Sequence, residues 1–449
     1  MTSSREIAAQ VVQRVLEDGA YVHRALDNAL ERADLEDRDR RFATRLVYAT
    51  LTRLRPIDDA LDARLRKGLR SMKPDVRAHL RVACAQLGPW DDRTPPHAAV
   101  SRAVGIVKKR RGARVGGVVN AVLQNIVRDP TSWDPPKDAD DVARFGHEHS
   151  LPNGLADLMM QTLGDAAGDA MRGFNAPTPV RLRVRGMERD DTIAMLAEDF
   201  VTAVAHPWLP DALTVTDGVV THTTAFREGF VTIQDAGAQL AAHLLPDELN
   251  GAMLDACAGL GGKTAHLLDS FDEDRVVATD TAADKLGVLR NAVGDTPRLV
   301  TVPWTIGEGP APDFGDDAPF GAVLLDAPCS ALGTMGRHPE VRWRRSAKDA
   351  RKMGRQQAHL LDTVAALVAP GGYLIYIVCT FTPSETHEVI DRFLEQRDDF
   401  EIAPPDAETA DARVAWGDLV DGRGRVALWP HVHDADGFFY ARLRRTTGA

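Results

Sequence analysis

The sequence predicts an all-α N-terminal domain followed by an α/β domain built on a mostly parallel sheet, with a small α+β subdomain between them. Three observations carry this. Apolar residues recur at helical spacing through residues 4–128, strands and helices alternate from about residue 236, and a polar, proline-rich break lies after the helical part. A chain of 449 residues exceeds one typical domain, which fits this division.

In the front end, Ile7, Val11, Val12, Val15 and Leu16 fall on one helical face, as do Phe42, Leu46, Val47 and Leu51. Gly19, Pro56, Pro74, Gly88-Pro89 and Pro95-Pro96 punctuate the run into helices of ordinary length. Net charge is −11, yet residues 1–140 carry 26 Lys/Arg against 19 Asp/Glu and the remainder 28 against 46. A basic front end on an acidic body is the asymmetry of a nucleic-acid-docking module. Its densest part, Lys108-Lys109-Arg110-Arg111-Gly112-Ala113-Arg114, suits phosphate contacts or the solvated end of a helix.

The break at Asp129–Asp138 assigns residues 129–140 to a linker, 1–128 to the helical domain, 141–235 to the α+β subdomain and 236–449 to the α/β domain. Val180–Arg185 alternates apolar and basic residues, as a strand with one basic face would. Met253–Asp255, Val276–Ala278, Leu299–Val302, Ala322–Leu325 and Leu374–Val378 are the strands of the parallel sheet. Ligands of such sheets bind beyond the carboxyl ends of strands, so the residues there are the functional candidates.

The loop Cys257-Ala258-Gly259-Leu260-Gly261-Gly262-Lys263 follows the first of these strands. Its glycines allow a tight turn and close backbone approach to a ligand. Asp280 ends the next strand, where an acid can accept two ribose hydroxyls. Gly262-Lys263-Thr264 invites a phosphate-loop reading, but that motif needs glycine at position 257, which is Cys. Two cysteines also sit just past strand ends: Cys329 in Asp326-Ala327-Pro328-Cys329, and Cys379 after Tyr373–Val378. Their polar neighbours Asp326, Ser330 and Thr380 point to reactive thiols, whereas Cys84 and Cys257 read as packing.

The four cysteines form no Cys-x-x-Cys pair, which argues for a metal-free protein in a reducing compartment. With no apolar run of membrane-spanning length and no leader-like start, the expectation is a cytoplasmic monomer with no membrane partner.

These motifs together resemble the RsmB/Sun-type RNA cytosine-5 methyltransferases. The matching segments are Gln234–Gln239, the Asp255–Lys263 loop, Asp326–Ser330, Arg337-His338-Pro339-Glu340, Cys379 with Pro383 and Glu385, and Asp436–Ala441. The front end resembles a NusB-like RNA-binding domain, including Pro95–Ala99 and Val119–Leu123. The resemblance implies a Rossmann-like methyltransferase sheet, S-adenosylmethionine bound by residues 257–263 with Asp280 and Asp326, and small-subunit ribosomal RNA as substrate. It implies Cys379 as nucleophile, Cys329 as the thiol assisting proton loss and release, Asp326 gripping the cytosine edge, and Lys263 orienting the base or cofactor. Three features depart from the family pattern. The loop reads Ala-Gly-Leu-Gly-Gly for Ala-Ala-Pro-Gly-Gly, and Thr386 replaces an Asn. No acid follows the third strand until Glu308; Trp304 there either stacks on the adenine or belongs to the core. Two other readings share the fold: a transfer-RNA methyltransferase, and a non-catalytic RNA-binding assembly factor.

Overall fold

A computed structural model describes residues 3–91, 93–272 and 274–447. The chain divides into two compact units, one comprising residues through Ala176 with Met335–Ser346, the other Pro177–Thr334 with the residues from Ala347 onward.

The first unit is helical: α1 Ser4–Glu17, α2 Val22–Glu31, α3 Asp37–Thr52, α4 Leu54–Asp62, α5 Pro74–Ala85, α6 Pro96–Arg111 and α7 Ala113–Arg128. Ser3 and Glu6 form a capping box at the start of α1, satisfying two otherwise unpaired amides. Prolines open α5 and α6, where a missing N–H costs nothing. The apolar faces read from the sequence meet in one core, with Ile7, Val11, Val12 and Val15 packed with Leu46, Val47 and Leu51. In the basic cluster, Gly112 takes a φ of 87° between α6 and α7. Arg110 pairs with Glu6 at 3.0 Å, and Arg111 forks onto Asp75 at 2.8 Å.

Compactness does not divide the chain at the expected linker, residues 129–140. Helices α8 Asp141–His149, α9 Asn153–Leu163 and α10 Ala167–Asn175 belong to the helical unit. Buried polar contacts hold them there. The His147 ring bonds Asp59 at 2.7 Å and the Trp133 carbonyl at 3.0 Å, and Arg55 donates to the Leu151 carbonyl at 2.5 Å. The Arg337–Glu340 motif lies in this unit too. Fully buried Glu340 accepts from the Val22 N–H at 3.0 Å, and Arg344 donates to the carbonyls of Val15 and Ala20 at 2.7 and 2.6 Å.

The second unit opens with a small antiparallel sheet of β1 Arg181–Val184, β2 Thr202–Ala205, β3 Ala212–Asp217 and β4 Val231–Ile233, in the order β2-β3-β1-β4. The basic face expected on β1 is turned inward. Arg181 and Arg183 are buried, Arg181 against Asp235 and Asp434, Arg183 against Gln234 at 2.9 Å and Asp269 at 2.7 Å. A guanidinium can be buried at this depth only with such partners.

The main sheet holds β5 Met253–Asp255, β6 Val276–Asp280, β7 Leu299–Pro303, β8 Phe320–Asp326, β9 Val368–Val378, β10 Phe400–Ile402, β11 Val426–Leu428 and β12 Phe438–Arg445. Its order is β10-β12-β9-β8-β5-β6-β7, with β11 on β12. The five strands from β7 to β9 are parallel, and β12 joins β9 antiparallel. Side chains alternate between two cores: Met253, Val276, Ala322 and Ile375 enter one, while Leu254, Val277, Val323 and Leu374 enter the other. A sheet covered on both faces needs this continuous apolar character. Chain order reverses between the neighbours β5 and β8, which opens the ligand crevice at their carboxyl ends. Among the described residues, no helix is long and apolar enough to cross a membrane.

Candidate functional site

Strand ends bring the predicted residues together. β8 ends on Asp326, and backbone pairing places Asp326 opposite Ile377 of β9. Cys329 and Cys379 follow these neighbouring strands, and their Sγ atoms lie 3.3 Å apart. That separation is a thiol–thiol hydrogen bond, far beyond the ~2.05 Å of a disulfide. Lys263, at the start of the helix Gly262–Ser270, donates to Asp326 Oδ2 at 2.6 Å. Its ammonium also lies 5.9 Å from the ring centroid of Phe438 on β12.

The electrostatics divide these groups. Burial opposes charge on Lys263, but Asp326 and then Asp255 outweigh it and hold the ammonium above its ordinary pKa. The hydrogen bond with Cys329 pushes the Cys379 thiol well up; burial and Asp326 act the same way, and Lys263 alone among these neighbours pulls it down. Cys379 therefore rests as a thiol. Burial raises Asp255 to about 6, against Thr264 and Lys263, which favour its ionised form. Thr264 donates to Asp255 Oδ2 at 2.7 Å, while Oδ1 is buried without a hydrogen-bond partner among the described residues.

The glycine loop turns through left-handed backbone, with φ of 56° at Gly259 and 90° at Gly261. A Cβ at Gly259 would meet nothing, so the loop leaves open space beside its backbone. Asp280 anchors the loop by accepting from the Gly259 N–H at 3.1 Å, and it also meets Lys285 at 3.3 Å. Leu260 is exposed, whereas burial raises the Cys257 thiol far above its ordinary range and leaves it inert. Trp304 is buried among core residues, edge-on to Phe314 with centroids 6.0 Å apart. Of the two roles left open by the sequence, this placement favours the core.

Glu385 is the residue that motif reading undervalued. Fully buried in the 3-10 turn Pro383–Glu385, its carboxylate accepts from the Ser330 N–H at 2.7 Å, the Ser330 hydroxyl at 2.5 Å, Thr382 at 2.7 Å and Thr380 at 3.2 Å. Gln357 adds a bond at 3.2 Å and also donates to the Pro328 carbonyl at 3.0 Å. Ser330 and Thr380 each directly follow a cysteine, so one carboxylate clamps both thiol-bearing turns. The available signal was the trio Ser330, Thr380 and Thr382, hydroxyl residues with no other evident task near an apolar strand. Glycines close the arrangement. A Cβ on Gly333 would fall 1.9 Å from the Gly437 carbonyl oxygen, and one on Gly354 equally close to that of Ser384. The Gly333 N–H donates to the Cys379 carbonyl at 3.0 Å. The segments Gln234–Gln239 and Asp436–Ala441 meet as well, since Asp235 Oδ1 accepts from the Gly237 and Asp436 N–H groups at 2.9 and 3.0 Å.

Comparison with known proteins bears on the family and the fold. A family model described as 16S rRNA methyltransferase RsmB/F matches residues 241–444, and a NusB family model matches residues 2–128. The probable ribosomal RNA small subunit methyltransferase B of Synechocystis sp. is 31% identical across 99% of this chain and 100% of its own. The ribosomal RNA small subunit methyltransferase B of Vibrio cholerae is 31% identical across 98% of this chain and 97% of its own. The crystal structure of PH0851 superposes with a TM-score of 0.78 at 25% identity, covering 98% of this chain and 99% of that one.

Proposed function

This chain belongs to the ribosomal RNA small subunit methyltransferase B family, and we propose that it methylates carbon 5 of a cytidine in small-subunit ribosomal RNA through a transient bond to Cys379. The observation that carries this reading is the pair of free thiols 3.3 Å apart beside the Lys263–Asp326 ion pair.

Carbon 5 of cytosine is too poor a nucleophile to accept a methyl group unaided. Addition of a thiolate to carbon 6 makes carbon 5 enamine-like, splitting one hard step into two easier ones. Cys379 supplies that thiolate. It must first lose its proton, and the Lys263 ammonium is the neighbouring charge that favours the loss. Asp326 grips the ring edge of the base and stabilises the charge that develops there. After methyl transfer, carbon 5 still carries its proton. Cys329, hydrogen-bonded to Cys379, acts as a thiolate after its own proton has gone to solvent and takes the carbon 5 proton, while the carbon 6–sulfur bond breaks and its electron pair returns to Cys379. The target base has to leave its stack to reach these groups.

S-adenosylmethionine supplies the electrophilic methyl when bound. The loop fits such a group: Gly259 has open space on its Cβ side, and Asp255 Oδ1 is a buried acceptor with no partner among the described residues. Residues 257–263 and Asp280 would hold it, with Asp326 at the reacting end.

The test is incubation of the full chain with small-subunit ribosomal RNA and methyl-labelled S-adenosylmethionine, followed by nucleoside analysis. Label in 5-methylcytidine is expected. Label in another nucleoside, or in transfer RNA but not ribosomal RNA, would overturn the assignment.

A further inference from the structure

We propose that Asp211, His243 and His266 bind a divalent transition-metal ion of the zinc class, in a cavity that contains neither thiol of the Cys329–Cys379 centre. The three side chains come from separate elements. His243 ends the helix Ala236–His243, His266 lies on the helix Gly262–Ser270, and Asp211 directly precedes β3. One ring nitrogen of each histidine and one carboxylate oxygen of Asp211 all lie within 4.8 Å of one another. They line a cavity of about 780 Å³.

Two observations point to a ligand rather than to packing. First, both histidines are almost wholly buried, at 3% and 2% exposure, yet His243 Nε2 and His266 Nδ1 have no hydrogen-bond partner among the described residues. A buried polar nitrogen without a partner is costly, and coordination is one way to satisfy it. Second, the opposite nitrogen of His243 is already engaged as in histidine metal sites. His243 Nδ1 bonds Asp411 at 2.7 Å, which orients the ring and leaves Nε2 as the nitrogen turned toward Asp211. Nε2 lies 3.7 Å from Asp211 Oδ2, a span one ion bridges with bonds of ~2.0–2.2 Å. Two imidazoles and a carboxylate suit zinc and its neighbours rather than magnesium or calcium. Arg413 contacts both Asp211 at 3.0 Å and Asp411 at 2.8 Å, so a metal on Asp211 would leave it Asp411 as partner. The metal-free expectation rested on cysteine spacing, which speaks only to thiolate sites.

The thiols Cys329 and Cys379 could themselves take such an ion, so the experiment uses the full chain carrying Cys329→Ser and Cys379→Ser. After chelator treatment it is titrated with Co(II), a visible stand-in for zinc. The expected result is one equivalent bound, with d–d absorption, displaced by zinc, and with a raised melting temperature. His266→Gln should abolish this binding. Asp211→Asn, a change at a half-exposed position that leaves the core intact, should weaken it about tenfold or more. Asp247→Asn, at an exposed residue of the same cavity outside the triad, should bind as the parent does. No Co(II) binding by the double-serine chain, or equal binding by the Asp211→Asn variant, would overturn the proposal.

Discussion

Ser330 gives both its backbone N–H and its hydroxyl to the carboxylate of Glu385, at 2.7 and 2.5 Å, and so fixes the position of Cys329 one residue before it. Thr380 reaches the same carboxylate from the residue after Cys379. The spacing of the two thiols is thus set by one buried carboxylate bonded to the residue after each of them.

Replacing Glu385 with Gln should separate positioning from binding. The amide presents its own N–H groups to donors, leaving bonds unmade at a cost of about 2–4 kcal/mol in stability. Misplacement of the thiols should lower kcat by about 100-fold while RNA affinity stays unchanged. Chemical denaturation and single-turnover kinetics check the two halves. An equal loss in RNA binding would refute the positioning role.

Gly333 and Gly259 should respond in opposite ways to alanine. At Gly333 the new Cβ meets backbone at 1.9 Å, and the bond to the Cys379 carbonyl has to shift with it. Overpacking of this kind costs about 1–3 kcal/mol or more, and methylation should fall with it. At Gly259 the space is open, and only the left-handed backbone is penalised, by about 1–2 kcal/mol. Its main loss should be in S-adenosylmethionine affinity, read by calorimetry.

Asp255 makes stability pH-dependent. Its folded pKa of about 6 lies above the ~3.9 of an unfolded aspartate. Between these values the folded chain holds a proton that the unfolded chain has lost, so stability falls as pH rises through the window and levels off above it. Asp255→Asn removes the penalty. Its stability relative to the parent should grow by about 1 kcal/mol between pH ~5 and pH ~7.5. A difference independent of pH would contradict this.

Lys263 should set the pH profile of the reaction. Hydrogen bonding to Cys329, burial and Asp326 keep the Cys379 proton on, and the ammonium opposes them. The methylation rate should therefore keep climbing past pH ~8.5, the ordinary thiol range. Lys263→Met should slow the reaction and move the profile further alkaline. An unmoved profile would show that the ammonium does not activate the thiol.

Much of this site was legible because strand ends in a parallel sheet are marked by apolar runs that stop at polar residues. Asp255, Asp280, Asp326 and Cys379 each end or follow such a run and each lies where the topology requires. Glu385 was harder to weigh, because its importance comes from partners scattered from Ser330 to Gln357 and Thr382. The burial of the β1 arginines was left open for a related reason. Alternation marks two faces but does not say which one is buried, and Asp235, Asp269 and Asp434 decide that from far along the chain. The break near residue 130 coincides with the end of the NusB family match, while compactness carries the helical unit on to Ala176.

In the proposed reaction Cys379 bonds to the base and Cys329 lets it go. The direct measurement is denaturing gel electrophoresis with mass spectrometry of chain incubated with small-subunit ribosomal RNA and S-adenosylmethionine. Cys329→Ala should accumulate a protein–RNA adduct mapped to Cys379, and Cys379→Ala should give neither adduct nor methylated product. Full methylation by the Cys379→Ala chain, or an adduct mapped to another residue, would contradict the account.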